Sequence, residues 1–562
     1  MNLIRRFRRP VPHHEPYISR LHDELALIKR FGFEECFNRA SDIVDMMDGA
    51  IHIVRGSASC SLVSYLLGIS NIDPVSHGIS VARFMNKTRT DLPDIDLDVP
   101  YNLRDDILRR VYNKWPGKVA RISNIIRYRQ KSATRQALRI LGLPSNITRT
   151  AHIARLYPNK VDLIRQTSNR LLGHEAHVSL HCGGLVFFDD GIPNELKVND
   201  YQVKLDKRDV EKQRLLKIDI LCNRGLAQLM DLDPIRQLHD YPEDDNNIIE
   251  LLSNGDVMGL TFAESPTFTR AVRSIKPTNR KELALALGLI RPAAASKGRK
   301  RLFIRQWQNR RRSSQLVFED DVLASMTERL GISVDEADRY RKGFAGSKND
   351  VINEFMKRFG QRDDINDMID SYSQFRYYSF CHSHALVYAH LVWALAYHKI
   401  YNPKKFWETT LNHCNSMYRR WVHVYHALHA GLKIDLDHPK WRLYGSELKK
   451  EAFQRDLFGR TQCEEYFDYG FWTNKEYFPT TAYTEANNQC QFKGMIACSR
   501  IHGDTTFITI SVKPLEYIDL IIDKRLDVSN HHKIEGNGEV VRDDSGVLSV
   551  LVRGFKLLDL SM

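Results

Sequence analysis

The sequence predicts an α+β protein of several domains. Three observations carry that expectation: short strand-like segments of strict alternation before about residue 223, helical periodicity from about Arg224 to Leu432, and five short alternating runs near the C-terminus. A chain of 562 residues accommodates roughly three to four domains. Hydrophobic residues, at 43% of the total, are sufficient for real cores.

In the first region, Ile18, Leu21, Leu25 and Ile28 recur at helical spacing, which predicts a helix over about Tyr17 to Arg30 ending near Gly32. A short strand is expected at Ile51–Val54. It runs into the small-residue loop Arg55-Gly56-Ser57-Ala58-Ser59-Cys60-Ser61 and then the apolar Leu62–Leu67. Strand, tight loop and helix start make an arrangement whose backbone N–H groups are able to cradle phosphate oxygens, although a plain packing turn would read the same way. No Gly-Lys-Ser/Thr follows, so it is not a Walker loop.

Asp91-Leu92-Pro93-Asp94-Ile95-Asp96-Leu97-Asp98-Val99 has the period of a half-buried strand, with Ile95, Leu97 and Val99 on one face and Asp94, Asp96 and Asp98 on the other. Neighbouring carboxylates repel unless water or a divalent cation relieves them, so the strand fits either a solvated acidic edge or a Mg²⁺ site serving phosphate chemistry. Leu215–Leu221 reads as a second buried strand, with Lys217 and Asp219 on one face, and supplies a third carboxylate. From Val119 to Leu143 the pattern is helical, and Lys131, Arg135 and Arg139 form a basic stripe suited to a nucleic-acid backbone. His177, His181 and Cys182 have a spacing that a metal could use on a helix, but Gly183-Gly184 reads as a turn into a strand.

The middle of the chain carries basic clusters at Lys297–Arg301 and Arg310–Arg312, with a loop expected at Arg291–Ser296. His382 and His384 read as groups at a helix start. The C-terminal runs, Gln491–Ala497, Thr506–Val512, Tyr517–Ile522, Gly538–Val541 and Val547–Phe555, predict a small barrel of the OB type.

The balance of 82 Lys+Arg against 69 Asp+Glu gives a formal charge of +13, which favours an anionic partner such as nucleic acid. Nine scattered cysteines with no Cys-x-x-Cys pair argue for a reducing compartment and against a zinc ribbon or disulfide framework. The best apolar run, Ala385–Tyr397, is too short to span a membrane, so no membrane association is expected. Met1–Pro10 carries four arginines without the apolar core of a secretory signal and reads as a disordered phosphate-contacting tail, with an organelle transit peptide as the alternative.

Taken together, these segments resemble the C family of DNA polymerases, the alpha subunits of bacterial DNA polymerase III. In that family a Gly-Arg-Gly-Ser-Gly-Ala-Gly-Ser-Leu-Val loop precedes a Pro-Asp-hydrophobic-Asp-hydrophobic-Asp strand; Arg55–Val63 and Pro93–Asp98 answer to them here. Ile69–Pro74 and Arg83–Asn86 also fit. Lys217–Leu221 resembles Lys-Phe-Asp-Phe-Leu, Leu180–Gly184 resembles Thr-His-Ala-Gly-Gly, Arg291–Ala294 echoes Arg-Pro-Gly-Pro, and Phe380–His384 echoes Phe-Asn-Lys-Ser-His.

The resemblance implies a polymerase right hand with a polymerase-beta-like nucleotidyltransferase palm over residues 1–118 and 159–223. A helical thumb over 119–158 would be inserted in it, followed by helical fingers over 224–435, a linker over 436–484 and an OB-type barrel over 485–562. It implies Asp94, Asp96 and Asp219 as catalytic ligands of two Mg²⁺ ions. Gly56, Ser57, Arg83, Lys217, Arg341 and Lys342 would meet the nucleotide, and Lys131, Arg135 and Arg139 the DNA. Asp98, a further step along the strand, is expected to be supporting or solvated. The implied activity is template-directed DNA synthesis on a primer 3′ end from deoxynucleoside triphosphates, in the cytoplasm of a bacterium or phage-infected cell, at the nucleoid. Gln454, Leu457 and Phe458 resemble the Gln-x-x-Leu-Phe peptide that docks on a sliding clamp.

Departures accompany the likeness. Ala58, Ser59 and Cys60 stand where glycine, alanine and glycine are usual, His382 replaces a lysine, and the alanines at 293 to 295 replace the Gly-Pro turn. Only a stub precedes the expected palm, so an N-terminal phosphoesterase-like domain is not expected, nor is proofreading in cis. A rival reading is a non-catalytic DNA-binding or clamp-associated replication factor.

Overall fold

The computed structural model describes residues 3–87, 92–145, 150–413, 416–444, 447–451, 482–513, 515–542 and 548–558. The first 223 residues build a seven-stranded sheet from β1 (Ile53–Arg55), β2 (Ile95–Pro100), β3 (Val119–Arg127), β4 (Glu175–Phe187), β5 (Lys197–Asn199), β6 (Gln202–Val203) and β7 (Leu216–Asn223). Their order is β1-β2-β7-β4-β3-β6-β5. The two alternating segments picked out in the sequence are therefore central neighbours, with β2 parallel to β7. Ile95, Leu97, Val99, Ile218 and Ile220 are fully buried in the main core. A one-residue slip of either strand would send these apolar groups to the polar face, so burial fixes the register.

Helices α1 (Glu15–Phe31), α2 (Glu34–Asp45), α3 (Leu62–Leu66) and α4 (Arg104–Lys114) belong to this first region. Helix α1 covers the span that periodicity predicts and ends on Gly32, whose φ of 70° provides the left-handed cap. Helices α5 (Gln130–Ile140), α6 (Thr150–Leu156) and α7 (Val161–Leu171) lie between β3 and β4 and share a small core of Ala137, Leu138, Ile153 and Ile164. Helix α8 (Lys207–Lys212) leads into β7, and α9 (Arg224–Leu232) leaves it, capped by the Asn223 side chain.

Four sequence expectations need correction. Val119–Arg127 is a strand, not the start of a helix: Val119, Ile122, Ile125 and Ile126 are β-branched, and β3 pairs with β4. Gly183-Gly184 lies within β4 and makes no turn. A Cβ at Gly183 would stand 2.6 Å from the Ile220 carbonyl, so close strand approach accounts for the glycine. Pro292–Ala295 is a short helical turn where a loop was expected. The N-terminal arginines are bound within the chain: Arg6 pairs with Asp42 at 2.5 Å, Arg8 with Asp45 at 2.5 Å, and Arg9 donates to the Ser70 carbonyl at 2.7 Å.

After α9 the chain is helical to His429, as its periodicity predicts. The axis of this region is the helix His382–Tyr401, whose Ala385, Leu386, Val387, Leu391, Val392 and Trp393 are all fully buried. A helix apolar all round belongs in a core, and no helix among the described residues is long and apolar enough to cross a membrane. Strands β8 (Lys433–Tyr444) and β9 (Glu447–Glu451) form a separate pair.

The C-terminal strands are β10 (Ala482–Ala486), β11 (Gln489–His502), β12 (Thr505–Lys513), β13 (Glu516–Ile522), β14 (Lys533–Arg542) and β15 (Leu548–Leu558). Five of them close into a barrel in the order β11-β12-β13-β15-β14 and back to β11, with β13 and β15 parallel and β10 added outside β11. Phe492, Ile496, Ile508, Ile510, Leu520, Ile534 and Val550 fill it. The barrel docks on the helices through Arg270 and Asp519, and through the Arg419 N–H to the Ala497 carbonyl at 2.8 Å.

One buried carboxylate sets the loop between β1 and α3. Glu24 of α1 accepts from the N–H groups of Leu62 (2.9 Å) and Val63 (3.1 Å) and from the Ser61 hydroxyl (2.6 Å), while Arg20 pairs with it at 2.6 Å. Arg20 also donates to the Cys60 carbonyl at 2.8 Å. Substituting Glu24→Ala leaves these donors and Arg20 without their shared acceptor, a loss of about 3–5 kcal/mol on the scale of a broken buried pair. Denaturant unfolding of wild type and variant measures it; a difference under about 1 kcal/mol would refute this role for Glu24.

Candidate active site

Three carboxylates meet on the polar face of the β2–β7 pair. Asp96 and Asp219 are direct partners in the parallel ladder, so both project to the same face. Asp94 stands one residue ahead of β2. One carboxylate oxygen from each of Asp94, Asp96 and Asp219 falls within a group spanning no more than 4.8 Å.

Positive charge is placed around them by the same strands. Lys217, two residues before Asp219, brings its Nζ to 2.7 Å from Asp94 Oδ1 and 3.0 Å from Asp219 Oδ2. Lys207 of α8 stands 3.6 Å from Asp94. On the other edge of β2, Arg55 is the ladder partner of Asp96; its Nε is 4.0 Å from Asp96 Oδ2 and 3.3 Å from Asp98 Oδ1.

The electrostatics of the carboxylates differ accordingly. Burial works against charge on Asp94, but the Lys217 ammonium and its hydrogen bond outweigh it and hold this carboxyl below its usual value. Asp96 is pushed up to about 7, first by burial and then by repulsion from Asp94 and Asp219. Burial would discharge Lys217, yet the charges of Asp94 and Asp219 keep its pKa above the ordinary lysine value. Oδ1 of Asp96 and Oδ1 of Asp219 are buried without a hydrogen-bond partner. Oxygen-only donors, crowded and short of positive charge, match the preference of hard divalent cations.

Asp98 belongs to a different set. It is 3% exposed, and its Oδ2 accepts from the Tyr388 hydroxyl at 2.7 Å and from Asn223 at 3.0 Å. Its neighbours therefore come from the helix His382–Tyr401 and from the cap of α9.

The loop beside the carboxylates is a 3₁₀ turn, Gly56–Cys60. Gly56 has a φ of 70°, and a Cβ on it would stand 3.8 Å from Asp96 Oδ2. Ser57 is partly exposed on the same turn. The expected helix-end phosphate cradle is altered: the N–H groups of Leu62, Val63 and Ser64 are engaged by Glu24 and Ser61, leaving the turn itself as the candidate phosphate contact.

Arg83, Arg341 and Lys342 gather around other acids. Arg83 and Arg341 each reach Glu319 Oε2 at 2.7 Å. Arg341 also pairs with Asp338 at 2.7 Å, and Lys342 lies 3.5 Å from the same carboxylate. Lys131, Arg135 and Arg139 form the expected exposed stripe on α5, opposite buried Ala133, Ala137 and Leu138. Gln454, Leu457 and Phe458 lie outside the described residues. Sequence reasoning missed Arg55, Lys207, Glu24 and Tyr388 as contributors. Only Arg55 left a trace, since the residue ending a strand beside an acidic one is a natural ladder partner.

Two family models match the chain: "Bacterial DNA polymerase III alpha NTPase domain" over residues 2–222 and "Bacterial DNA polymerase III alpha subunit finger domain" over residues 227–370. Among curated relatives, the error-prone DNA polymerase of Corynebacterium diphtheriae is 28% identical over 431 residues, covering 69% of this chain and 41% of that protein. The DNA polymerase III subunit alpha of Streptococcus pyogenes is 27% identical over 469 residues, covering 72% and 44%. That of Thermus aquaticus is 27% identical over 472 residues, covering 71% and 38%. The chain thus matches less than half the length of these relatives.

The raised pKa of Asp96 has a consequence for stability without metal. An unfolded aspartate loses its proton near about 3.9, whereas folded Asp96 keeps it to about 7. The favourable contribution of this site is complete below the unfolded value and is lost as pH rises through 7. In metal-free buffer the melting temperature of wild type falls from about pH 5 to about pH 8 by more than that of Asp96→Asn. Divalent cation raises the wild-type value at about pH 8 and leaves the variant nearly unmoved. Equal slopes for both chains would refute the crowded-carboxylate description.

Proposed function

The chain belongs to the family of bacterial DNA polymerase III alpha subunits, the C family of DNA polymerases, and from that premise we propose that it is a template-directed DNA polymerase. Its substrates are primer–template DNA and deoxynucleoside triphosphates, and its place is the nucleoid of a bacterium or phage-infected cell. The observation that carries the reading is the meeting of Asp94, Asp96 and Asp219 beside the Gly56 turn, with oxygens of Asp96 and Asp219 left without partners.

In this reading the seven-stranded sheet is the palm, the helices between β3 and β4 are the thumb, the helices after Asn223 are the fingers, and the barrel is of the OB type. The finger-domain match over residues 227–370 and the strand order of the barrel support it. Asp94, Asp96 and Asp219 would hold two Mg²⁺ ions. When bound, such ions favour the primer 3′-oxyanion and offset charge on the triphosphate.

The chain's own residues do the positioning. Lys217 holds Asp94 and Asp219 in place and keeps positive charge at the site. Gly56 permits the triphosphate to approach because its positive φ excludes a side chain there at little cost, and Ser57 offers a hydroxyl. Arg83, Arg341 and Lys342 supply cations at the finger side once the incoming phosphates compete with Glu319 and Asp338 for them. The stripe of Lys131, Arg135 and Arg139 tracks the duplex backbone, and base pairing with the template supplies sequence information. Gln454, Leu457 and Phe458 dock on a sliding clamp.

Primer extension with Mg²⁺ tests the assignment. Asp96→Asn and Asp219→Asn each lower kcat by about 10²–10³-fold or more, the scale of removing one preorganised electrostatic group. Extension surviving both substitutions would refute the site, and an inactive wild type would favour the non-catalytic alternative. Leu457→Ala with Phe458→Ala abolishes clamp binding in a pull-down while leaving extension on short templates intact; undiminished clamp capture would refute that peptide.

A further inference from the structure

We infer that Cys60 and Cys381 are a thiol pair that oxidises to a disulfide, joining the Gly56–Cys60 turn to the start of the helix His382–Tyr401. The two cysteines are far apart in the sequence, and the fold brings both to Ser383. Both residues are buried, and their sulfurs converge on one hydroxyl. The Cys60 sulfur is 3.1 Å and the Cys381 sulfur 3.4 Å from the same Ser383 hydroxyl. The Cys381 sulfur also lies 3.3 Å from the Gly56 carbonyl oxygen.

The pair is asymmetric. The hydrogen bond from Cys60 lowers the Cys381 thiol below its ordinary value, burial opposes this, and the charge of Arg83 adds to the lowering. The same hydrogen bond, with burial, raises Cys60. The thiolate is the nucleophile, and the same disulfide forms whichever of the two sulfurs ionises first.

With hydrogen peroxide as oxidant, the Cys381 thiolate attacks one oxygen, the O–O bond breaks, and the departing hydroxide takes up a proton to leave as water. Cys381 becomes a sulfenic acid. The Cys60 sulfur then attacks that sulfur; the S–S bond forms, the S–O bond breaks, and the second hydroxide leaves as water with the Cys60 proton. Two thiols lose two electrons and two protons, and one peroxide becomes two waters. A reducing dithiol reverses the change.

The cross-link would fix the turn that carries Gly56 and Ser57, so oxidation suspends nucleotide addition. That consequence rests on the polymerase reading; the disulfide does not. The other described cysteines are placed differently, with Cys182 and Cys222 exposed and open to reaction on their own.

The test uses the full chain with Cys182→Ser and Cys222→Ser, treated with hydrogen peroxide, digested without reduction and analysed by mass spectrometry. A peptide pair linking Cys60 to Cys381 is expected in most molecules, absent after Cys60→Ser or Cys381→Ser and absent after dithiothreitol. Primer extension by the oxidised chain is expected to fall at least about tenfold and to return on reduction, with no such response in either serine variant. Lack of the linked peptide, or sulfinic acid at Cys381 with Cys60 unmodified, overturns the pair. A linked peptide with undiminished extension overturns its control of activity.

Discussion

Repulsion among Asp94, Asp96 and Asp219 is the constraint to which the rest of this architecture answers. Three carboxylates with oxygens within 4.8 Å would push a flexible chain apart. Here they cannot separate, because the residues alternating with them are sealed in the core. Ile95, Leu97 and Val99 of β2 and Ile218 and Ile220 of β7 lock the register in which Asp96 faces Asp219. The free energy that tolerates the acidic face thus comes from the apolar one, at roughly 25 cal/mol for each Å² buried.

The crowded face is also braced by cations from its neighbouring strands and from α8. Arg55 approaches from β1, Lys217 from β7 and Lys207 from α8. Asp98, on the same strand face, spends its charge on Arg55, Tyr388 and Asn223, and so ties the acidic strand to the helical region. A second tie joins Ser59 of the turn to Ser383 at 2.7 Å, and Glu24 holds Ser61, Leu62 and Val63 just after that turn. Direct hydrogen bonds thus join the acidic strand and the turn to the helix His382–Tyr401.

Much of this was legible in the sequence because alternation is a local property. The strands β2 and β7, the end of α1 at Gly32, the long helical middle and five barrel strands all follow from spacing within about a dozen residues. What escaped reading depends on partners distant in the chain. Val119–Arg127 has apolar residues at intervals that also suit a helix, and only pairing with β4 makes it a strand. The basic residues Arg6, Arg8 and Arg9 look like a solvated tail until Asp42, Asp45 and Ser70 are brought to them. Arg83 and Arg341 share Glu319, and nothing near either arginine in the sequence announces that acid.

The inequality of the aspartates shows how charge balance, more than residue type, assigns their parts. Asp94 has Lys217 and Lys207 at hand and stays ionised. Asp98 has its own cation and two neutral donors. Asp96 is buried between two carboxylates, with Arg55 at 4.0 Å as a remote counterweight, and burial first and repulsion second push its pKa up to about 7. Lys217 cannot supply more, since a single ammonium already serves Asp94 and Asp219. A site that retains such a deficit in its folded state gains most from an added positive charge, and the gain is greatest at Asp96 and Asp219, whose buried oxygens lack partners. The same deficit makes this strand pair less stable than a neutral substitute would be, which is the physical cost of keeping a cation-demanding surface inside a packed fold.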